Sequence, residues 1–315
     1  MKKEAITEDV DRKLQAILRD RTHGAAFLAR EALAAMKLAA AGSEAGEADA
    51  FLREISRLGS RIVTLRPSMS APISNGIVRV FHAISQRGKS TRDLRELKES
   101  ACRAVDHLLK ASEENVRKTI IHVSRAIQEG ATVLTHSYSE TCLRALLASA
   151  EKRVKVFATE SRPLLEGRTM AENLQEGGMD VTLLTDVEAG HFMREMQMVL
   201  VGADSVLRDG SVINKMGTYL LALAAREKGV PFRVACDSWK FRIEPGAPAL
   251  EEKSPDEVLD GASRFKVRNV YFDLTPPELI TSLVTEDGEM KAEEVGPRGE
   301  RWGRVLQDMR ELGGS

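Results

Sequence analysis

ATVLTHSYSETCLRALLASAEKRVKVFAT (131–159) decides the fold. Its two ends, ATVLTH (131–136) and VKVFAT (154–159), are short apolar runs rich in β-branched residues, and ETCLRALLASAEK between them is helical. Downstream the alternation continues. The segment around MAENLQEGG reads as a helix closed by Gly177-Gly178. DVTLLT (180–185), QMVLVGA (197–203) and PFRVAC (231–236) are further strands. INKMGTYLLALAAREKG, between the last two, reads as one helix. Strands alternating with helices predict a parallel sheet covered by helices on both faces.

Upstream the chain has another character. In HGAAFLAREALAAMKLAAA the residues Phe27, Leu28, Leu33, Met36 and Leu38 recur at helical spacing. GSEAGEADA interrupts the pattern, and AFLREISRLGSRIVTL resumes it with Phe51, Leu52, Ile55, Leu58 and Ile62. Pro67 and Pro72 bound a short constrained segment, RPSMSAPISNG. A long helical pattern follows Ser90-Thr91 and ends at Gly130. The expectation is a helical N-terminal domain, 1–115, with antiparallel neighbours, followed by an α/β domain, 116–315.

The 315 residues carry 46 Lys+Arg against 47 Asp+Glu, so bulk charge gives no reason to expect a nucleic-acid partner. With 30% charged and 43% apolar residues the composition is globular, which excludes disorder as the main state. Cys102, Cys142 and Cys236 are far apart and odd in number, without zinc spacing, and read as reduced thiols. MKKEAITEDVDRK lacks the apolar core of a secretory signal, and no apolar run is long enough to span a membrane. A cytoplasmic protein is expected, with no metal, no cofactor and no membrane partner.

Ligands of such sheets bind at the carboxyl ends of the strands. The first strand ends in THSYSE, giving His136, Ser137, Tyr138 and Ser139. The second ends in TESRP, giving Glu160, Ser161 and Arg162. The third ends in LLTD, with Asp186, and the fourth in VGAD, with Asp204. The loop beyond reaches Asn214, Lys215 and Thr218 in INKMGT. Singly, each is an ordinary polar loop residue. Together, hydroxyls with Arg and Lys near helix N-termini describe an anion site, and Asp and Glu suit sugar hydroxyls. THSYSE lacks the glycines of GxGxxG, no GxxxxGK[ST] loop exists, and HSYSE is no GxSxG elbow. NAD, P-loop chemistry and the serine-hydrolase elbow are therefore not expected.

VGADSVLRDGSVINKMGTYLLALAAREKGVPFRVACDSWKF strongly resembles the initiation factor 2B alpha/beta/delta family. That family also holds ribose 1,5-bisphosphate isomerase and methylthioribose 1-phosphate isomerase. LRPSMSAPISNG (65–76), TVLTHSYS (132–139), VFATESRPLLEGRTMAENL (156–174) and VYFDLTPPELITSLVTEDG (270–288) agree in the same order. The resemblance implies a helical N-terminal domain and a Rossmann-like domain of the NagB/RpiA/CoA-transferase kind, usually dimerising through the latter. Pro276-Pro277 in FDLTPPELI set a stiff turn of structural rather than catalytic meaning.

The isomerases of the family use a cysteine after the first strand and the aspartate of GAD. Asp204 fills the aspartate position. Ser137 stands where the cysteine would be, and a serine hydroxyl is a far weaker acid that needs a strong base beside it. His136 does not supply that base, because consecutive strand residues face opposite ways. Cys142 reads as a core thiol. The resemblance further implies ligand-binding roles for Arg66 of LRPS, for Ser139, for Asn214 and Lys215, and for Glu160 and Arg162 at the second strand tip. It also implies them, more loosely, for His23 and Gly24 of THGAA, where the family's RGA-type motif carries Arg in place of His23.

THSYS is closest to the alpha-subunit-like members. The preferred expectation is therefore a regulatory protein binding a phosphorylated sugar or nucleotide without a catalytic thiol. Its partners would be further copies of itself or related subunits, with no direct nucleic-acid contact. The alternative is a sugar-phosphate aldose–ketose isomerase using Asp204, with Ser137 orienting the substrate.

Overall fold

The computed structural model describes residues 8–21, 23–261 and 264–314. The chain forms two compact units. One comprises Met1–Glu114, Phe241–Pro245 and Pro297–Ser315, the other Asn115–Lys240 and Gly246–Gly296. Residues 297–315, read from the sequence with the α/β part, thus belong to the helical unit.

In the helical unit, α1 (Glu8–Arg19) buries Val10, Leu14 and Ile17, one stripe of a 3.6-residue period, and opens with Glu8, Asp9 and Asp11 against the positive end of its dipole. The small residues of α2 (Ala25–Gly42) let it pack closely with α1 and with α4 (Ser70–Gly88), and α3 (Ala48–Val63) also lies against α4. The constrained segment between Pro67 and Pro72 is a helix start. Pro67 opens a single 3-10 turn and α4 begins at Ser70, so Pro72 falls in the first turn, where a missing N–H costs no helical bond. Asn75, buried on α4, donates to the Phe241 carbonyl at 2.7 Å, and Arg242 donates to Ser70 Oγ at 2.7 Å, which fixes the 241–245 excursion. The C-terminal helix Glu300–Gly313 crosses α3 closely: a Cβ on Gly59 would lie 2.7 Å from Met309 Sδ, and Arg57 Nε donates to the Gly313 carbonyl at 3.0 Å.

Helix α5 (Leu94–Ala126) contributes its second half to the other unit. There Val116, Ile120, Val123 and Ile127 pack with Val133, Val156, Leu200 and Val284. The sheet they cover contains β1 (Thr132–His136), β2 (Lys155–Thr159), β3 (Asp180–Leu184) and β4 (Met198–Val201), all predicted. Helices α6 (Glu140–Leu147) and α7 (Glu166–Glu176) follow β1 and β2, and a short helix α8 (Ala189–Phe192) precedes β4.

Beyond β4 the chain departs from the sequence reading. β5 (Ser205–Val206) and β6 (Val212–Lys215) precede α9 (Thr218–Lys228), so INKMGTYLLALAAREKG is a strand end, a break and a helix. Gly217, at φ +111°, makes the break, and the β-branched Val212 and Ile213 hold the strand. Then come β7 (Phe232–Ala235), β8 (Phe272–Thr275), β9 (Ser282–Thr285) and β10 (Gly288–Met290).

The main sheet has the order β10-β9-β7-β4-β1-β2-β3, parallel except for the β9–β10 hairpin. Antiparallel pairing joins β5, β6 and β8 in a second sheet. β1 is central, paired in parallel with β2 and with β4, and its last four residues are all buried, as a doubly covered strand requires. The chain leaves β1 towards β2 and β3 and returns to its other side at β4. That reversal is a topological switch point, and the tips of β1 and β4 face the crevice it opens.

Candidate ligand-binding site

Three non-glycine residues adopt left-handed backbone conformations at the tips of β1 and β2: Ser137, Ser161 and Leu165, with φ of 63°, 62° and 61°. Such geometry costs energy and persists where its surroundings impose it. Asp186, at the tip of β3, does the imposing for one of them, accepting from the backbone N–H of Ser161 and of Arg162 at 2.8 Å each. Ser161 Oγ in turn accepts from the Ser137 N–H at 2.8 Å. One carboxylate thereby positions the turn after β2, and that turn positions the turn after β1.

His136 is buried beneath these turns. Its Nε2 faces the Met216 carbonyl at 2.9 Å and its Nδ1 the Thr159 hydroxyl at 2.6 Å. With Nε2–H donating to the carbonyl, Nδ1 is the acceptor for Thr159. Burial pushes the imidazole below its ordinary range, which keeps it neutral. Its ring partners are the Thr159 and Ser161 hydroxyls and the Met216 carbonyl, whereas the Ser137 hydroxyl is bonded elsewhere. Gly217 belongs to the same arrangement, because a Cβ there would lie 3.0 Å from the His136 ring.

The carboxylate beside Ser137 belongs to Glu166, a residue the sequence reading passed over. Ser137 Oγ donates to Glu166 Oε1 at 3.3 Å, a long bond. Lys215 Nζ donates to the same oxygen at 2.5 Å, its side chain 6% exposed against 24% for Glu166. The ammonium also lies 4.6 Å over the Tyr271 ring, a cation–π contact. Glu166 Oε2 is buried and has no hydrogen-bond partner. Glu166 reaches this place because α7 starts almost on top of β2. Gly167 permits it: a Cβ at that position would sit 1.7 Å from the Thr159 carbonyl oxygen.

Asn214 and Lys215 end β6, and Asp204 lies just ahead of β5, its N–H donating to the Ile213 carbonyl at 2.9 Å. Asn214 Nδ2 donates to Thr218 Oγ1 at 3.0 Å, and Thr218 Oγ1 donates to the Lys215 carbonyl at 2.6 Å. Opposite Asn214 on β8 stands Asp273. Its Oδ2 accepts from the Gly217 and Tyr219 N–H groups at 2.8 and 3.1 Å, capping α9 from a neighbouring strand, and its Oδ1 is buried without a donor. Burial pushes this carboxyl up to about 6, against the two hydrogen bonds.

The other expected site residues are placed differently. Ser139 caps α6, accepting from the Cys142 N–H at 3.3 Å, and fills the space a Cβ on Gly202 would need. Glu160 is paired with Arg168 at 2.7 Å. Arg162 is exposed and donates to the Val258 carbonyl at 2.9 Å, tying the irregular 246–270 stretch to the β2 tip. Arg66, His23 and Gly24 belong to the helical unit. There Arg66, buried, donates to the Ile17 and Asp20 carbonyls at 3.3 and 2.8 Å, holding the end of α1. His23 Nδ1 lies 2.7 Å from Asp20 Oδ2 and its ring stacks on Phe27. Gly24 precedes α2 with open space where a Cβ would stand. Cys142 is a core thiol, pushed up to about 12 by burial. Among the described residues no group of three His, Cys, Asp or Glu could hold a metal ion, and no helix is long and apolar enough to cross a membrane.

Residues 21–292 match the model of the initiation factor 2 subunit family. The chain belongs to that family. It is 34% identical over 281 residues to a putative translation initiation factor eIF-2B subunit 2-like protein of Pyrococcus horikoshii, covering 87% of this chain and 94% of the relative. It is 32% identical over 273 residues to the ribose 1,5-bisphosphate isomerase of Methanocaldococcus jannaschii, covering 84% and 86%. A solved structure of a Pyrococcus horikoshii translation initiation factor eIF-2B superposes with a TM-score of 0.78 at 30% identity, covering 93% of this chain and 98% of that one. The family thus spans initiation-factor-like proteins and sugar-phosphate isomerases, and both lie at similar distance from this member.

Proposed function

We propose that this chain binds a phosphorylated sugar or nucleotide at the carboxyl end of its parallel sheet, as an alpha-subunit-like regulatory member of its family. Ser137 is the observation that carries the reading. At the left-handed tip of the central strand stands a hydroxyl, and the carboxylate it touches already holds an ammonium. A Ser hydroxyl bonded at 3.3 Å to an ion-paired carboxylate is poorly activated as an acid or nucleophile. It is well suited to hydrogen-bond a ligand. In this reading Ser137, Asn214 and Lys215 contact the ligand and Asp204 takes one of its hydroxyls. A second copy of the chain or a related subunit is the proposed protein partner, and the cytoplasm the proposed location.

One observation favours the second reading, an aldose–ketose isomerase. Ser137 and Asp204 follow the ends of β1 and β4, the two strands that border the switch point, so a carboxylate residue, the group type that gives and takes a proton, stands in sequence beside it. Phosphorus NMR of the purified protein mixed with ribose 1,5-bisphosphate, and separately with adenosine monophosphate, separates the two. Line broadening without new resonances supports binding alone. Ribulose 1,5-bisphosphate resonances growing with time overturn the non-catalytic reading. Neither broadening nor product with either compound overturns both.

A further inference from the structure

We infer that Glu166 sets the ligand selectivity of this site: it closes the Lys215 position to phosphate and opens it to a hydroxyl. The inference rests on the binding reading above. Lys215 is the cation that ends β6 at the switch point, yet its charge is already matched. Glu166 Oε1 lies 2.5 Å from Nζ, and both side chains are largely withdrawn from water, where ion pairs are weakly screened. A phosphate oxygen arriving at Nζ would come within a few ångströms of the Glu166 carboxylate, and like charges so placed oppose each other strongly. A phosphate is also mostly deprotonated at neutral pH, so it is a poor donor to Glu166 Oε2.

That oxygen is the second half of the argument. Oε1 has two donors, Lys215 Nζ and Ser137 Oγ, whereas Oε2 is buried and has none. A buried carboxylate oxygen without a donor is a costly state, and a turn of the part-exposed Glu166 side chain that brings Oε2 to a ligand O–H would relieve it. Ser137 Oγ keeps lone pairs for a second ligand hydroxyl. The chemistry offered here is acceptor–hydroxyl–ammonium with no net charge, the complement of a sugar diol. Phosphate must then sit elsewhere on the ligand, which makes a monophosphate a better fit than a sugar phosphorylated at both ends.

Isothermal titration of the intact wild-type protein and of Glu166→Gln with ribose 5-phosphate and ribose 1,5-bisphosphate tests this. The amide keeps the shape and a carbonyl for Lys215 while removing the negative charge. The wild type is expected to bind ribose 5-phosphate at least as tightly as the bisphosphate. Glu166→Gln should shift the ratio of the two affinities towards the bisphosphate by about tenfold. A wild type that prefers the bisphosphate, a result that needs no variant, overturns the inference. So does an unchanged ratio in a folded Glu166→Gln protein, and in both cases the binding reading survives. Binding of neither sugar by either protein overturns the binding reading and the selectivity with it.

Discussion

Asp273 should make this protein less stable at neutral pH than its asparagine variant. The carboxyl is pushed from the usual 3.8 up to about 6, chiefly by burial. Below 3.8 both folded and unfolded chains hold the proton and the residue contributes nothing. Between 3.8 and about 6 the folded chain keeps the proton while the unfolded chain loses it, so stability falls as pH rises through that window. Above it the loss is complete, about 3 kcal/mol. Asp273→Asn removes the titration but keeps the helix cap, because Oδ2 alone accepts both N–H groups and an amide oxygen can take its place. The NH2 group then stands where Oδ1 has no donor. The variant is expected to exceed the wild type by about 1 kcal/mol at pH 4.5 and about 3 kcal/mol at pH 7.5. Urea titrations followed by tryptophan fluorescence measure it. The chain has two tryptophans, and Trp302→Phe leaves Trp239 as reporter of the unit that contains Asp273. A wild-type minus variant difference that stays flat with pH, or favours the wild type at pH 7.5, would refute the reasoning.

Gly167→Ala should destabilise the α/β unit by about 3 kcal/mol, since its Cβ would overlap the Thr159 carbonyl and drive α7 away from β2. Urea midpoints measure the loss, and a change below about 0.5 kcal/mol would mean the approach is not as close as described. Of the three thiols, Cys142 and Cys236 are buried and pushed up by burial, whereas Cys102 is half-buried on α5. An aromatic disulfide reagent should therefore release colour for one thiol in the native protein and for the other two only after denaturation.

The parallel sheet was legible because its strands are buried on both faces and read as unbroken apolar runs; Val133, Leu134, Val199 and Leu200 are each fully buried. The second sheet escaped because β5 has two residues and β6 only four, with two residues between β6 and α9, so no strand of it stands out as a separate apolar run. Only Gly217 marks the change, and a glycine inside an apolar run has several meanings. The β9–β10 hairpin did leave a signal, Asp287-Gly288, with Gly288 at φ +110°.

The site was half legible for a related reason. Asking which polar residues end the strands names Ser137 and Asp186, which lie at the tips of β1 and β3, because strand ends are fixed by local pattern; Asn214 and Lys215, read as loop and helix, end a strand of their own. It misses residues brought to the tips from the following helix. Glu166 stands five positions past Ser161, and only a close approach of α7 to β2 carries it back to Ser137. The sequence does hold the means of that approach, the glycine at 167, next to a carboxylate that would otherwise read as an ordinary helix-opening residue. The same step alters what the expected residues do. Lys215 read alone is a phosphate cation, but with Glu166 at 2.5 Å it is half of a neutral pair. Arg66 read alone is another, but its guanidinium holds the carbonyls at the end of α1. Residue type names the charge a site can offer; which charge is left to offer depends on contacts that sequence separation hides.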